Sequence, residues 1–430
     1  MGLAFKPIAQ HCQPSPAHLL STFYSARSLP VFSHPVVRIA LATALFVASF
    51  AMYGPVLAVL LQQRGHGTLA VGAFAMIGFA CVAALIPFLP TLLARFGDLR
   101  VLQAGCWLWF AGGLGYAIFD DLAIWSAFAI LGGIGAAAVW NATEALIARY
   151  SPPDKRGRIT GLYQTLLGSA LALGPFVPAL FQINGHQTLI AVCVVQALGL
   201  LLVAKLPPFP VQPRHPTQLP VTQPNLANRR HSGLAALAPA MSTWQALRAV
   251  PALAAIAFAG GVFEGGLSSV SAAHGASLGL TMAAAASIVG ALGVGSFLFQ
   301  YPAGMLADRV LPSRVFGAAG FLLLASSLLM LLSAGTPWLL WACAFIWGGV
   351  GGALYTLTMI RVAHQFSGQD TAAGTAAMIA GYTLGGAIGP LVSGAALQQW
   401  AAPGLAAWLA LLSVMVMAVS TQFKTRKIEP

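Results

Sequence analysis

The chain carries very little charge for its length. Only 7% of its 430 residues are Asp, Glu, Lys or Arg, whereas 58% are hydrophobic. Soluble domains carry about 25% charged residues, so this chain lacks the polar surface that water requires. The roughly ten-residue alternating segments of a membrane barrel are also missing. The shortage of charge therefore predicts an all-α integral membrane protein.

Acidic residues and cysteines are scarce as well. Nine Asp and Glu accompany 21 Lys and Arg, for a formal net charge of +12. The basic residues lie in short segments between apolar runs, where they set membrane orientation, so we expect no nucleic-acid partner. The five cysteines lie singly, without the spacing of a metal site or a disulfide framework. Without hydrolase or nucleotide-binding motifs, we expect no enzyme, cofactor or metal.

Long apolar runs are what the sequence has instead. Twelve of them have the length of a membrane helix and predict spans 1 to 12. Between spans 6 and 7, seven prolines between Pro207 and Pro224 indicate a flexible linker. The predicted units are a cytoplasmic N-terminal tail, a six-helix bundle, a cytoplasmic linker, a second six-helix bundle and a cytoplasmic tail, with bounds 1–35, 36–206, 207–248, 249–421 and 422–430.

The positive charges predict the orientation of these spans. With twelve spans, twenty Lys and Arg fall on one side of the membrane and only Arg64 falls on the other. Lys and Arg concentrate in the cytoplasmic loops of membrane proteins. We therefore expect a multi-pass protein of the cytoplasmic membrane with both termini in the cytoplasm.

An internal repeat relates the two predicted bundles. Residues 140–175 and 355–390 each begin with a large aromatic residue, Trp140 or Tyr355, and each reaches a Gly-Pro pair that we expect to end a helix. The copies differ in chemistry, because Glu144 in the first corresponds to Met359 in the second. Repeats of this kind are typical of transporters whose site lies between the repeats.

Glu264 is the main candidate for chemistry, since it lies in span 7 among apolar and small residues near the expected midplane. A charged carboxylate there is costly, so it either carries protons, binds a cationic substrate or forms a structural hydrogen bond to a neighbouring helix. Polar and aromatic side chains at mid-helix depth either line the same cavity or anchor the interface. They are Tyr53, Trp140, Asn141, Tyr163, Gln164, Tyr355 and Tyr382.

The loop after span 8 reads Gly304-Met-Leu-Ala-Asp308-Arg309 and resembles the G-x-x-x-D-R/K loop motif of the major facilitator superfamily. The corresponding loop of the first half departs from it, with Pro90 and Ala94 at the Gly and Asp positions. Glu144 before an Arg-Gly-Arg loop, and Gln300-Tyr-Pro, are similar to the YcaD-like branch. The resemblance implies two pseudo-symmetric six-helix bundles that work by alternating access.

The resemblance also implies a cytoplasmic gate. Asp308 would meet the N-terminus of span 5, where the helix dipole favours a carboxylate, with Arg309 supporting it. Glu144, only about 9 Å from the cytoplasmic end of span 4, would pair with nearby arginines. Its alternatives are a cavity role and simple packing. The expected gate residues are Asp308, Arg309, Glu144, Arg95 and Arg158.

These features together predict a monomeric secondary active transporter with a small-molecule substrate, protons as the coupling ion and the lipid bilayer as its surroundings. The Gly-Pro pairs favour export of an amphipathic neutral or cationic compound. Proton-coupled nutrient uptake is the first alternative. A non-transporting membrane receptor is the second, because the first half lacks the loop aspartate. An intramembrane enzyme would need a paired nucleophile and base, which the sequence does not offer.

Overall fold

The computed structural model describes residues 35–151, 156–204, 206, 242–366 and 370–423. The N-terminal tail up to residue 34, the linker from 207 to 241 and the chain after residue 423 lie outside the described residues. Within the described ranges every regular element is a helix, as the composition predicts.

Fifteen α-helices are numbered here in chain order over the described residues. They are α1 (Pro35–Gln63), α2 (Thr68–Leu85), α3 (Leu89–Phe96), α4 (Asp98–Ile118), α5 (Leu122–Tyr150), α6 (Arg156–Leu173), α7 (Val177–Leu180), α8 (Gly185–Ala204), α9 (Thr243–Ala249), α10 (Pro251–Gly261), α11 (Leu267–Ser277), α12 (Met282–Arg309), α13 (Pro312–Leu329), α14 (Leu339–Gln365) and α15 (Asp370–Ser420). Short 3-10 segments follow α2, α6, α13 and α15, and a π-helical turn, Val262–Gly266, joins α10 to α11.

Local sequence signals explain where several helices begin. Asp121 caps α5 by accepting a hydrogen bond from the Ile124 amide at 3.0 Å. Ser242 opens α9, inside the predicted linker, with a reciprocal capping box to Gln245. Both pairings satisfy amide groups that a helix start leaves without an intrahelical partner.

The two Gly-Pro pairs do not behave alike. Gly174-Pro175 ends α6, and a 3-10 segment follows. The expectation of a second helix end at Gly389-Pro390 is wrong, because α15 continues through Pro390. Membrane helices tolerate an internal proline when neighbouring helices compensate for the lost hydrogen bond.

Ten of the described helical segments are long and apolar enough to cross a bilayer. One of them is α15, which is interrupted at Trp400 and Ala401, where the backbone dihedrals are not helical. α6 is not among the ten. The predicted total of twelve spans therefore stays a prediction, although the all-helical membrane fold is confirmed.

Three apolar cores each belong to one side of the linker. The largest contains buried residues from 246 to 416, and two smaller cores contain buried residues from 36 to 206. Each half thus buries its own apolar surface, which is what separate helical bundles require. This division matches the two-bundle fold that the repeat predicts.

A fourth core joins the halves at one end of the molecule. We call this end the Arg64 face, where α1 ends, and the opposite end the Arg149 face, where α5 ends. The joining core combines α1 residues such as Leu57 and Leu61 with Ala272 of α11 and Val289 of α12. On this side the Thr68 hydroxyl also donates to the Gly394 carbonyl at 2.8 Å. The halves are therefore packed against each other on the Arg64 face, which the charge distribution predicts to be the outer one.

Candidate functional site

Glu264 lies in the π-helical turn between α10 and α11, halfway along the apolar span Pro251–Ser277. A π turn inserts an extra residue into a helix and often occurs at functional sites. The placement agrees with the depth that the sequence predicts for this carboxylate.

Glycines bring this helix into direct contact with α15. A Cβ atom on Gly261 would lie 2.0 Å from the carbonyl oxygen of Tyr382, and one on Gly385 would lie 2.0 Å from that of Phe258. Neither position has room for a side chain, because carbon and oxygen atoms do not approach so closely. The two helices can therefore touch through their backbones, as small residues allow in membranes. This contact sets Glu264 beside Tyr382.

Both carboxylate oxygens of Glu264 accept hydrogen bonds from neutral groups. The Ser296 hydroxyl of α12 donates to Oε1, and the Tyr382 hydroxyl of α15 donates to Oε2 at 2.8 Å. Among the described residues, the ion pairs are Arg64–Asp120 and Arg149–Asp98, so neither involves Glu264. A carboxylate held by neutral donors remains able to take up a proton or a cation.

Two more residues complete this arrangement. Gly352 of α14 provides space, since a Cβ atom there would lie 2.8 Å from both Glu264 Oε1 and Ser296 Oγ. The same Cβ would lie 2.9 Å from Gln300 Nε2, while Gln300 Oε1 accepts a hydrogen bond from Thr356. We call Glu264, Ser296, Gln300, Gly352 and Tyr382 the Glu264 cluster. It joins four helical segments of the second half around one carboxylate.

Tyr355 of α14 lies beside the Glu264 cluster. Its ring centroid lies 4.6 Å from that of Tyr382, with the planes inclined at 47°. Because Tyr382 donates to Glu264, Tyr355 borders a side chain that holds this carboxylate.

Glu144 lies on α5 and accepts a hydrogen bond from Trp140 Nε1 at 2.9 Å, one helical turn earlier. Trp140 is 48% exposed despite its position in the interior of a helix. Tyr163 of α6 is buried in a core that also contains Ile147 of α5. The structure thus brings together two of the residues that the sequence assigns to a cavity or a gate. We call Glu144 and Trp140 the Glu144 site.

The other predicted cavity residues lie apart from these contacts. Tyr53 is buried in the core that joins the halves, where Trp109 Nε1 donates to its hydroxyl at 3.4 Å. Asn141 donates to the Ala137 carbonyl of its own helix at 3.0 Å. Gln164 is exposed on α6. A substrate contact by these three residues stays a prediction.

The arginine partners expected for Glu144 are engaged elsewhere or lie outside the description. Arg149 pairs with Asp98 at 2.6 Å, joining the end of α5 to the start of α4. Arg95 is exposed, with its guanidinium 5.5 Å from the centre of the Phe96 ring. The side chains of Arg158 and Asp308 lie outside the described residues, and Arg309 is exposed. The proposed gate contacts remain predictions.

Sequence reasoning named Tyr382 but missed the other residues around Glu264. Ser296 and Gln300 are four residues apart, so they share a face of α12, and a polar pair at this spacing inside an apolar helix was an available signal. Gly352 carries no such signal, because its importance lies in the space that it leaves. Asp98 was missed because it follows Gly97 in what reads as a loop.

Among the described residues, no group of three or more His, Cys, Asp or Glu could hold a metal ion. The described residues offer two carboxylates, one in each half: Glu144 beside Trp140, and Glu264 beside Tyr382. Such a set can exchange protons and bind positively charged groups.

A sequence model described as the Major Facilitator Superfamily matches residues 39–299 and 265–428 of the chain. The chain is 23% identical to the MFS-type transporter YfkF of Bacillus subtilis (strain 168), over 83% of this chain and 90% of that protein. It is 22% identical to the MFS-type transporter YcaD of Salmonella typhi, over 91% of this chain and 94% of that protein.

Solved structures share the fold at lower identity. The nucleoside transporter NupG superposes with a TM-score of 0.70 at 13% identity, over 91% of this chain and all of that chain. A D-xylose-proton symporter superposes with a TM-score of 0.63 at 15% identity, over 91% and 96% of the two chains. At these identities the likeness concerns the fold.

Proposed function

Because the chain belongs to the Major Facilitator Superfamily, we propose that it is a secondary active transporter of a small organic solute, coupled to protons and directed toward export. The proposed substrate is an amphipathic neutral or cationic compound. The proposed carrier of the proton is Glu264.

The observation that supports proton coupling is the environment of Glu264. Its two oxygens accept hydrogen bonds from Ser296 and Tyr382, and the described residues place no Lys or Arg against it. A charged carboxylate at this depth in a membrane costs about 3 kcal/mol or more, depending on its surroundings. Neutral donors offset part of that cost, so protonated and charged forms are both accessible to the cluster.

Transport then follows from exchange at this carboxylate. A proton on Glu264 neutralises it and permits movement of the halves with an empty site. A bound cationic substrate takes the place of the proton, because its charge also compensates the carboxylate, and permits the return movement. The protein could not change its orientation at low cost with an uncompensated charge at mid-depth. Because the halves cannot move while Glu264 is charged and uncompensated, transport of the solute is coupled to transport of the proton.

The arrangement of the two halves supports alternating access. The joining core and the Thr68–Gly394 hydrogen bond lie toward the Arg64 face. Among the described cores, those near the Arg149 face each belong to one half. This arrangement is that of a transporter closed on the Arg64 face, with the Glu144 site on the Arg149 side of Glu264.

Uptake of a nutrient is the second candidate. The D-xylose-proton symporter has the same fold, so the fold accommodates symport as well as export. Export of a cationic compound is preferred because Glu264 beside an aromatic ring can hold a positive charge, which a neutral sugar does not carry. Vesicles of defined orientation distinguish the two directions.

The test uses purified protein in proteoliposomes with a pH-sensitive dye inside. A panel of organic cations and neutral amphipathic compounds is added, with and without an imposed proton gradient. We expect at least one compound to move protons in the wild-type protein and not in Glu264→Gln, while Asp121→Asn, an exposed residue on the Arg64 face, behaves as wild type. Unchanged proton movement in Glu264→Gln would refute the assignment of the carrier.

A further inference from the structure

Gln300 of α12 has one end of its amide engaged and the other end free. The Thr356 hydroxyl of α14 donates to Gln300 Oε1. Among the described residues, Gln300 Nε2 donates to no acceptor, and it is not one of the fully buried side-chain atoms that lack a partner. An amide nitrogen carries two hydrogens that donate and cannot accept a hydrogen bond. The half-buried side chain therefore offers donors to a molecule in front of it.

The free nitrogen of Gln300 lies beside the carboxylate. The position that a Cβ atom would take on Gly352 is 2.9 Å from Gln300 Nε2 and 2.8 Å from both Glu264 Oε1 and Ser296 Oγ. Three polar atoms therefore surround one point. Turning the amide over would bring its oxygen toward a carboxylate oxygen, so electrostatics also favours the nitrogen at this position.

Contacts along α12 show which way this side chain faces. Val289, Gly293, Ser296 and Gln300 follow one another at spacings of three and four residues, so they share one face of the helix. Val289 belongs to the core that joins the halves. A Cβ atom on Gly293 would lie 2.8 Å from Cα of Ala172, on α6 in the first half. The face that carries Gln300 is therefore directed at the first half of the chain.

The contact between α6 and α12 opens beyond Gly293. Gly304 lies three turns further along α12, on the same side, and Gly161 lies near the start of α6. Among the described residues, no atom would come within 4 Å of a Cβ atom on either glycine. Gln300 thus lies between a closed contact at Gly293 and open space at Gly304. A solute that enters from the Arg149 face reaches Gln300 and Glu264 together.

A carboxylate and an amide N–H group side by side have opposite hydrogen-bonding characters. Glu264 attracts a protonated amine, and charge-assisted hydrogen bonds of this kind are strong. Gln300 Nε2 needs an acceptor oxygen. A solute satisfies both groups when it carries an oxygen on a carbon close to its charged nitrogen. A site built to hydrogen-bond its ligand discriminates against an analogue without the matching group, because a polar group of the site is then left unpaired.

We propose that Gln300 is a specificity-determining residue and that the site takes a protonated amine with a neighbouring ether, hydroxyl or carbonyl oxygen. The amine binds Glu264, and the oxygen accepts a hydrogen bond from Gln300 Nε2. This inference rests on the proposed transport function and specifies its substrate class. Proton coupling requires a cation at Glu264 and does not require the second contact, so the two claims can fail separately.

The test uses two matched amines and the purified full-length protein. One is dimethylhexylamine, and the other is the ether amine in which an oxygen replaces the third methylene after the nitrogen. Titration calorimetry gives the affinity for each. Gln300→Met keeps the length of the side chain and removes the donor. We expect it to lower the ratio of ether-amine to alkylamine affinity about fivefold, which is the cost of about one hydrogen bond.

Gln103→Met is the matched control. Gln103 of α4 already donates to the Val203 carbonyl at 3.2 Å within the first half, so this variant should leave the affinity ratio unchanged. Tetraphenylphosphonium, an organic cation without an acceptor oxygen, is the reference ligand, and we expect equal affinity in Gln300→Met and the wild type. Gln300→Asn, which withdraws the amide by one methylene, provides a second variant and should lower the ratio in the same direction.

Three results overturn the inference. They are no binding of either amine to the wild type, an unchanged affinity ratio in the Gln300 variants, and an equal loss for both amines and tetraphenylphosphonium. The last result would mean that Gln300 positions Glu264 and does not select the solute. Proton movement driven by tetraphenylphosphonium, together with an unchanged affinity ratio, would leave the proposed transport function standing while this inference fails.

Discussion

Gly352→Ala tests whether the space beside Glu264 is functional. The added Cβ would lie 2.8 Å from Glu264 Oε1 and Ser296 Oγ and 2.9 Å from Gln300 Nε2. All three atoms are at the ends of flexible side chains, so they can move away. Replacing Gly by Ala inside a helix gains about 1 kcal/mol. Losing a hydrogen bond to a charged group costs about 1.5–3 kcal/mol. The net destabilisation is therefore small, about 0.5–2 kcal/mol.

The functional effect should be much larger than the effect on stability. The displaced groups are the ones that hold the carboxylate, so we expect proton-coupled transport to fall about tenfold or more while the melting temperature falls by only a few degrees. Transport by Gly352→Ala in proteoliposomes at the wild-type rate would refute the role of this space.

Gly348→Ala, one turn away on α14, is the matched comparison. Its Cβ would lie 1.9 Å from the backbone oxygen of Leu292. A backbone atom cannot move aside as a side chain does, so the two helices must separate, at a cost of about 3 kcal/mol or more before the gain of about 1 kcal/mol from alanine. We expect Gly348→Ala to lower the melting temperature more than Gly352→Ala does. The opposite order would contradict the steric reasoning.

Two further variants probe contacts at the ends of the molecule. Asp98→Asn removes the charge of the buried partner of Arg149. Arg149 is 42% exposed and can turn to water, so we expect the free energy of unfolding to fall by about 1 kcal/mol in a thermal melt. An unchanged melt would show that the pair is not stabilising. Gln398→Ala removes the acceptor for the Leu69 amide, at 2.9 Å across the halves. Hydrogen exchange at the start of α2 should then quicken about fivefold, and an equal change in Gln399→Ala would contradict the assignment.

Much of the fold is predictable because the membrane imposes it. Apolar runs of sufficient length become helices, and the repeat predicts the division into halves that the separate cores display. The continuation of α15 through Pro390 was not predictable, because it depends on neighbouring helices that compensate for the proline. Local sequence does not contain that information.

The candidate site is predictable in part, because the membrane makes a charged residue inside an apolar helix conspicuous. Glu264 stands out as a carboxylate in an apolar helix, and its depth follows from helix geometry. Tyr382 is also identifiable as a polar aromatic residue at mid-helix depth. Its contact with Glu264, and the identity of Ser296, depend on helix rotation and packing. The gate interpretation of Glu144 followed from distance along one helix and stays a prediction.

The most direct measurement counts the protons released when tetraphenylphosphonium binds to purified protein in weakly buffered solution between about pH 5 and 8. Exchange at Glu264 predicts a release that approaches about one proton per bound cation at its maximum, and none in Glu264→Gln under the same conditions, because binding and protonation are linked at one carboxylate. Equal proton release by Glu264→Gln and the wild type would contradict the account.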